Sequence, residues 1–273
     1  MKQISQNSFL RNLLLPIFSK INLGDITIHH HWTDDEFLLH SFKHKGYWYH
    51  GKKREMETMM LFSRLIRKGD FLVEIGGHIG YLSLYFAQLI GPEGNLIVFE
   101  PGSNNLPYLL KNTKSKSNIS IVEKAVTDFV GIAKFYVENL SGQNNSLLEN
   151  YEYLKKNEEA ANCKFESSII EVPCTSLDEF IIQSQLPSPS FIKIDVEGAE
   201  LQVLKGMKHI LEKNGIALMV EVTENVTDVF QLLSNTGFQL FRPNKSPVNN
   251  IKDMNGNIFC VKGNDPRIRL FSS

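Results

Sequence analysis

The stretch that decides the fold is FLVEIGGHIG, residues 71–80. Its first half, FLVEI, is a short apolar run that predicts a strand buried on both faces. Glycines follow at 76, 77 and 80, and the next segment, YLSLYFAQLI (81–90), predicts a helix. A strand that enters a helix through a glycine turn is typical of α/β sheets that bind nucleotide-like cofactors at the carboxyl ends of their strands.

The same alternation of strands and helices continues along the chain. Further strands are predicted at 95–100, 119–126, 191–196 and 216–222, and further helices at 105–113, 198–213 and 225–236. The last two predicted strands, 238–243 and 257–263, have no helix between them, so we expect an antiparallel pair that closes the sheet. The pattern predicts an α/β fold with a doubly wound, mostly parallel sheet.

The predicted domain is residues 69–273, preceded by an N-terminal cap segment, 1–68, which holds a strand-like stretch at 25–31 and a helix at 53–67. Residues 139–170 are polar and have no clear period. They are interpreted as an insertion or lid, with plain surface elaboration as the alternative.

Charge, cysteine content and hydropathy argue against several classes of protein. The net charge of −1 gives no basic excess, so we expect no nucleic-acid partner. Three cysteines without a CxxC spacing indicate reduced thiols and a cytoplasmic location. The apolar run LLLPIF (13–18) is too short for a transmembrane segment; it either packs on the protein or contacts a membrane surface. The oligomeric state stays open.

The glycine turn does not fit a dinucleotide site. The G-x-G-x-x-G pattern fails because Ile75 stands where the first glycine belongs, leaving E-x-G-x-x-x-G from Glu74, Gly76 and Gly80. The carboxylate of Glu74 would repel a pyrophosphate but favour a cofactor with an ammonium and a sulfonium, such as S-adenosylmethionine. The cofactor's own carboxylate would bind at the helix N-terminus near Ile79 and Gly80.

The second strand supports this interpretation. It ends in Glu100-Pro101, where an acidic side chain is placed to accept hydrogen bonds from both ribose hydroxyls. The alternative is that Glu74 merely caps a helix and that Glu100 is a surface residue.

Catalytic candidates follow the strand in FIKIDVEGAE, residues 191–200. Asp195 should emerge beside the cofactor, and Glu197 should face the substrate from the turn. Either could remove a proton from a hydroxyl acceptor, or the pair could orient it. Glu221, near the end of the fifth strand, is either a further candidate or a structural hydrogen-bond acceptor. We predict no metal site, although a divalent ion between Asp195 and Glu221 stays open.

Together, GDFLVEIGGHIGYLSL, VFEP, the KAV step at 124–126 and IKIDVEGAELQVLKG resemble the FkbM family of S-adenosylmethionine-dependent methyltransferases, over roughly residues 69–222. The resemblance implies a class I methyltransferase (Rossmann-like) fold with a seven-stranded sheet, and O-methylation of a sugar, glycolipid or natural-product hydroxyl. The cofactor-binding residues so predicted are Glu74, Gly76, Gly77, His78, Ile79, Gly80, Glu100, Pro101, Asn104, Ala125, Val126 and Asp195.

The chain departs from the family pattern D-x-G-A-N-x-G at three positions, Glu74, Gly77 and His78. Histidine in place of asparagine keeps a hydrogen-bonding side chain but adds a titratable group. We expect His78 to contact the methionine end of the cofactor.

Six histidines lie between residues 29 and 50, and His40 and His44 have the i, i+4 spacing of metal ligands on a helix. Three interpretations stay open: an aromatic cap packed over the cofactor cleft, a substrate-binding wall, and a structural zinc site. Two rival functions also stay open. One is a nicotinamide-dependent oxidoreductase, and the other is a non-catalytic partner subunit.

Overall fold

The computed structural model describes residues 23–138, 141–148 and 167–271. The strands are β1 Asp25–His29, β2 Glu36–His40, β3 Phe71–Ile75, β4 Asn95–Phe99, β5 Ile119–Val122, β6 Ala125–Val126, β7 Gly131–Glu138, β8 Ser167–Thr175, β9 Phe191–Ile194, β10 Ala217–Val222, β11 Phe238–Phe241 and β12 Gly256–Lys262. The helices are α1 Lys45–His50, α2 Met56–Leu65, α3 Tyr81–Ile90, α4 Leu106–Thr113, α5 Leu177–Gln183, α6 Glu200–Lys205, α7 Lys208–Glu212 and α8 Val226–Asn235. Short 3-10 turns cover Gly51–Lys53, Ile251–Asp253 and Pro266–Phe271.

The central sheet has seven strands in the order β11-β12-β10-β9-β3-β4-β5. β12 runs antiparallel to both of its neighbours, and the other pairings are parallel. The seven-stranded α/β sheet of a class I methyltransferase is therefore confirmed. The strand order reverses between β3 and β9, which is the point where such sheets bind ligands.

The predicted antiparallel closing pair is confirmed. β11 and β12 are antiparallel at one end of the sheet, with β12 between β10 and β11, so β11 forms the edge of the sheet.

Apolar layers cover both faces of the sheet. On one face the helix α2 packs Phe62 against Phe86 and Phe259, with ring centroids 4.9 Å and 5.6 Å apart. On the other, Val73 and Ile192 belong to a second buried cluster. Each fully buried side chain of this size contributes about 1.5–3 kcal/mol, so the central strands are fixed from both sides.

A second, three-stranded sheet in the order β6-β8-β7 was not predicted. The predicted strand 119–126 is wrong as a single element: β5 ends at Val122, and Ala125–Val126 pair with Cys174 and Thr175 of β8. The break arises because the chain leaves the central sheet to reach this second one.

Two further predictions change in detail. The helix predicted at 198–213 is divided into α6 and α7 at Gly206, where a β-carbon would overlap the carbonyl oxygen of Thr127. The strand predicted at 25–31 is β1, and it pairs antiparallel with the unpredicted β2.

Most of the predicted insertion, 139–140 and 149–166, lies outside the described residues, as do 1–22. Residues 141–148 form turns, and β8 begins at Ser167. The division into a cap segment, a cofactor domain and a lid stays a prediction. In the described ranges no helix has the length and apolarity needed to cross a membrane.

Candidate active site

A cavity of 310 Å³ lies at the carboxyl ends of β3, β4, β9 and β10, beside the point where the strand order reverses. It brings together nine of the residues predicted from sequence: Gly76, His78, Glu100, Pro101, Ala125, Val126, Asp195, Glu197 and Glu221. Residues far away in sequence complete the wall, among them Tyr47, Arg54, Glu55, Asn105 and Asn145.

The turn after β3 is shaped by close backbone contact. Gly76 has φ of 86°, and a β-carbon on it would overlap the carbonyl oxygen of Asp195. Gly77 has no room for a β-carbon beside Val98. Gly80 begins α3 with φ of 88°. The predicted residues Ile79 and Gly80 do not line the cavity; Ile79 is fully buried, and both lie behind the turn.

Glu74 lies beneath this turn. It is buried, accepts a hydrogen bond from Ser83 Oγ at 2.6 Å and faces a smaller cavity of 60 Å³. Burial raises the pKa of Glu74 to about 7. Its predicted contact with a cofactor ammonium stays a prediction.

Glu100, at the end of β4, is held in one orientation. Its Oε1 accepts hydrogen bonds from the Gly102 backbone N–H at 2.8 Å and from Asn105 Nδ2 at 3.2 Å, and its Oε2 accepts one from the His78 N–H at 2.7 Å. Burial raises the pKa of this carboxyl to about 7. Both lone pairs of Oε1 are thus occupied, and Oε2 has one lone pair left for a ribose hydroxyl.

Asn105, rather than the predicted Asn104, lines the cavity. Asn104 Nδ2 donates to the Glu138 carbonyl at 3.0 Å, and its Oδ1 accepts from Asn145 Nδ2 at 2.8 Å. Asn104 thus joins the end of β7 to the following turn, and its predicted contact with the cofactor stays a prediction.

His78 bridges two segments that lie over the turn. Its Nδ1 accepts a hydrogen bond from the Tyr47 hydroxyl at 3.0 Å, and its Nε2 donates to the Ser141 carbonyl at 3.3 Å. Burial lowers the pKa of His78 to about 3, which fits this neutral tautomer. His78 has φ of 47°, a conformation that costs roughly 1–2 kcal/mol for a non-glycine residue. Its contact with the methionine end of the cofactor stays a prediction.

The turn 141–145 is anchored by Glu138, the last residue of β7. The buried Glu138 carboxylate accepts hydrogen bonds from the backbone N–H groups of Ser141 and Gly142, at 2.8 Å and 3.1 Å, and from Ser141 Oγ at 2.8 Å. Gly142 and Asn145 in this turn line the cavity. The sequence offered no signal for this anchor beyond an acidic residue at a strand end.

Asp195 and Glu221 are neighbours at the β9–β10 end of the cavity, since Ile194 and Val220, the residues before them, are paired in the parallel register. The neighbouring Asp195 carboxylate, together with burial, raises the pKa of Glu221. Lys193 Nζ lies 3.2 Å from Asp195 Oδ2 and donates to the Gly76 carbonyl at 2.6 Å. Sequence reasoning missed Lys193, although a lysine inside an apolar strand indicates a buried charge that needs partners.

Glu197 and Glu200 have different roles in the fold. Glu197 lines the cavity with φ of 51°, and its carbonyl accepts a hydrogen bond from Ser146 Oγ at 2.7 Å. Glu200 is fully buried and accepts from the Gly198 N–H at 2.7 Å and from the Thr223 hydroxyl. Glu200 therefore fixes the turn, and Glu197 faces the cavity.

The wall opposite the sheet comes from the N-terminal segment. The Arg54 guanidinium lies 4.5 Å from the centre of the Tyr47 ring, and Arg54 Nε is 3.4 Å from Glu55 Oε1. The nearby anionic groups outweigh the effect of burial and raise the pKa of Arg54. One interpretation of the sequence placed an aromatic cap over the cofactor cleft, but sequence reasoning did not single out Arg54 or Glu55, because only the folded chain brings them to the site.

The histidines of this segment make packing contacts. The buried His30 ring accepts from the Trp32 and Thr33 N–H groups through Nδ1, and its Nε2 is 3.0 Å from the Tyr81 carbonyl. His44 Nδ1 accepts from the His40 N–H at 2.9 Å. His40 ends β2 and His44 precedes α1, so the two do not share a helical face. In the described part of the chain, no group of three His, Cys, Asp or Glu side chains is placed to hold a metal ion.

Comparison with known proteins decides the family. The model of the methyltransferase FkbM domain matches residues 74–240, which is more than half of the chain. The chain belongs to the FkbM methyltransferase family. Membership decides against the nicotinamide-dependent oxidoreductase that the sequence left open, and the methyl donor is S-adenosylmethionine.

Three relatives are similar at low identity. Hexuronic acid methyltransferase AglP of Haloferax volcanii is 24% identical over 182 residues, covering 66% of this chain and 68% of that protein. Methyltransferase sdnD of Sordaria araneosa is 25% identical over 194 residues, covering 63% and 74%. The solved structure of methyltransferase FkbM from Methylobacillus flagellatus KT has a TM-score of 0.45 at 15% identity, covering 70% of this chain and 43% of that one. The chain thus spans less than half of that structure.

The residues around the cavity fit S-adenosylmethionine. The backbone at Gly76 leaves no space for a side chain, and a β-carbon on Gly102 would lie 2.6 Å from Glu100 Oε1, so both glycines keep the lining open. Glu100 at the end of β4 offers an acceptor for a ribose hydroxyl, and the acidic lining of the cavity would disfavour a phosphate.

Proposed function

We propose that the chain transfers a methyl group to a hydroxyl of a sugar, glycolipid or natural-product acceptor. The observation that carries the proposal is the group of three carboxyl side chains, Asp195, Glu197 and Glu221, at one end of the cavity. A hydroxyl acceptor has to be oriented and has to lose a proton, and carboxylates serve both needs.

Strand order supports the location of the acceptor. Along the edge of the sheet, the residues after β4, β3 and β9 are Glu100, Gly76 and Asp195, followed by Glu221 on β10. If the ribose is held at Glu100, the next position along the edge is the turn at Gly76. The acceptor then enters at the β9–β10 end, between the carboxyl groups and the wall formed by Tyr47 and Arg54.

Each residue has a proposed role. S-adenosylmethionine supplies a methyl group on a cationic sulfur. Glu100 and the turn at Gly76 hold it, and Asp195 accepts the proton of the hydroxyl. Glu197 orients the acceptor. We assign the base to Asp195 rather than to Glu221, because the Asp195 carboxylate and burial raise the pKa of Glu221 and favour its protonated form. AglP is named for a hexuronic acid substrate, which favours a sugar among the acceptor classes.

The test is a methylation assay with ¹³C-methyl-labelled S-adenosylmethionine and a panel of neutral hexosides, hexuronates and amino sugars, with products identified by NMR and mass spectrometry. We expect a methyl ether that resists mild alkali. A labile methyl ester or an N-methyl product would contradict O-methylation, and no product with any acceptor while the cofactor binds would favour the non-catalytic subunit.

Asp195→Asn separates the roles. Loss of a general base lowers the rate by roughly 10²–10⁴-fold, and we expect the Kd for S-adenosylmethionine to change far less. Asp228→Asn, at an exposed position on α8, is the matched control. Full turnover in Asp195→Asn would remove Asp195 as the base.

A further inference from the structure

Lys193 is buried at the centre of the sheet, where β9 is paired with β3 on one side and with β10 on the other. Its side chain is only 3% exposed. Burying an ammonium group costs several kcal/mol unless partners compensate it. A lysine in this position therefore requires a specific set of partners.

Three partners surround the ammonium. Lys193 Nζ donates to the Gly76 carbonyl at 2.6 Å, lies 3.2 Å from Asp195 Oδ2, and lies 3.9 Å from Glu74 Oε1. The first partner belongs to the cofactor turn and the second to the acceptor end of the cavity. Lys193 is thus a direct link between the two halves of the site.

The second observation is that Asp195 and Glu221 are neighbours at the same edge of the sheet: Ile194 is paired with Val220 in the parallel register of β9 and β10, and the residue that follows each of them lines the cavity. Two neighbouring carboxyl groups repel each other when both are charged, so one of them favours its protonated form. Lys193 lies 3.2 Å from Asp195, and a cation at this distance favours the charged form of the nearer carboxyl. The proton is then left on Glu221.

Other charged groups face this pair from the surrounding elements. Glu197 lies in the turn after β9, Glu55 and Arg54 come from the N-terminal segment, and Glu74 lies on β3. Glu55 and Glu197 add to the influence of Asp195 and raise the pKa of Glu221 further. For Lys193 itself, burial lowers the pKa, but the carboxylates of Asp195 and Glu74 outweigh burial and the net shift is upward.

We propose that Lys193 is a positioning residue that ties the Gly76 carbonyl to Asp195 and makes Asp195 the anionic member of the Asp195–Glu221 pair, with the shared proton on Glu221. This allocation gives the pair one proton acceptor and one proton donor, both facing the cavity. The inference rests on the proposed function only where Asp195 is named as the base.

The test needs no acceptor. Side-chain carboxyl carbons of ¹³C-labelled Asp and Glu are followed by NMR from pH 5 to 9, with the two signals assigned from Asp195→Asn and Glu221→Gln. In the native protein we expect the Glu221 signal to remain that of a protonated carboxyl at pH 7, and the Asp195 signal to be that of a carboxylate. The reverse assignment, or two carboxylates at pH 6, would overturn the proposal without any variant of Lys193.

Lys193→Met, Lys193→Arg and the exposed Lys208→Met complete the experiment. With the ammonium removed, we expect Asp195 to take up a share of the proton at pH 7 and the Kd for S-adenosylmethionine to rise at least tenfold. Lys193→Arg should keep the native allocation of the proton, and Lys208→Met should match the native protein. If the folded Lys193→Met variant gave the same titration curves for Asp195 and Glu221 as the native protein, the proposal would be contradicted.

The outcome is separable from the proposed function. Methylation of a group other than a hydroxyl would overturn the O-methyltransferase assignment and leave both carboxyl titrations as they are. Titrations that contradict the allocation would leave the methylation product unchanged.

Discussion

Gly76 and Asp195 are in direct backbone contact across neighbouring strands β3 and β9: a β-carbon on Gly76 would overlap the carbonyl oxygen of Asp195. The contact joins the turn after β3, where we place the cofactor, to the turn after β9, where we place the acceptor. A change at either residue therefore shifts both turns.

Gly76→Ala tests this contact. Gly76 and Gly69 have nearly the same positive φ, 86° and 82°, but nothing lies within 4 Å of a β-carbon at Gly69. Gly69→Ala therefore measures the backbone strain alone, which is about 1–2 kcal/mol. We expect Gly76→Ala to lower the free energy of unfolding by more than this and to weaken cofactor binding, as measured by urea titration and calorimetry. Equal effects in the two variants would show that the turn at Gly76 relaxes without cost.

Glu100→Gln tests the ribose contact. The amide group would present a donor to the N–H groups of His78 or Gly102, and it would offer fewer acceptor sites to a ribose. We expect calorimetry to show a Kd for S-adenosylmethionine about 10–100-fold higher, in line with the 1.5–3 kcal/mol of a hydrogen bond to a charged group. The exposed Glu123→Gln should bind as the native protein does.

The pH dependence of cofactor binding provides a second test of the role of Glu100. Its pKa in the free protein is raised to about 7, so the carboxylate that accepts hydrogen bonds is lost as the pH falls below 7. Affinity for the cofactor should fall over this range in the native protein, and the dependence should be weaker in Glu100→Gln. An unchanged profile would contradict the role of Glu100.

Glu138→Gln tests the anchor of the turn 141–145. A glutamine would face two backbone N–H groups with one acceptor oxygen fewer. We expect faster hydrogen exchange at Ser141 and Gly142, and a higher Kd for the cofactor, because Gly142 lines the cavity. Glu171→Gln, an exposed residue of the adjacent strand β8, is the control. Native exchange rates in Glu138→Gln would show that the turn holds without the carboxylate.

His78→Asn tests the bridge between Tyr47 and Ser141. The shorter side chain cannot reach both partners, and each hydrogen bond contributes about 1 kcal/mol. We expect a lower Tm, with Tyr47→Phe showing roughly half the effect because it removes one of the two bonds. The pKa of about 3 keeps the native ring neutral, so cofactor affinity between pH 5 and 8 should not depend on its titration. If cofactor affinity depended on pH in the native protein and this dependence were weaker in His78→Asn, the expectation would be contradicted.

His30 should make stability depend on pH. Burial lowers its pKa from 6.5 to about 4, so the folded protein resists protonation that the unfolded chain accepts. This contribution to the free energy of unfolding is complete above pH 6.5 and is lost as the pH falls toward 4, about 3 kcal/mol in all. Chemical unfolding of His30→Gln between pH 4 and 7 should give a flatter curve. His29→Gln, at an exposed ring, should follow the native curve.

The central strands could be predicted because their signal is local. FLVEI, FIKI and ALMVEV are apolar runs bounded by glycine, acidic residues or turns, and a strand covered on both faces needs nothing else. The acidic residues at their ends, Glu100, Asp195 and Glu221, could be predicted for the same reason, since the end of a parallel strand fixes where the next side chain lies.

The second sheet could not be predicted, because its signal is not local. β7 and β8 are separated by residues 139–166, and Ile132 and Ile169 are exposed on them, so neither strand has the continuous apolar run of a central strand. The contributions of Tyr47, Arg54 and Asn145 to the cavity could not be predicted either. Their positions at the cavity depend on the docking of distant segments.

By itself, the sequence determined the family, the cofactor, the strands of the central sheet and the acidic residues at their carboxyl ends. Only the tertiary structure decided which of those residues share one cavity, that Lys193 connects the cofactor turn to Asp195, and that His78 is bonded on both ring nitrogens. The physical reason is that strand patterns depend on neighbours in the chain, whereas burial and hydrogen-bond partners depend on neighbours in space.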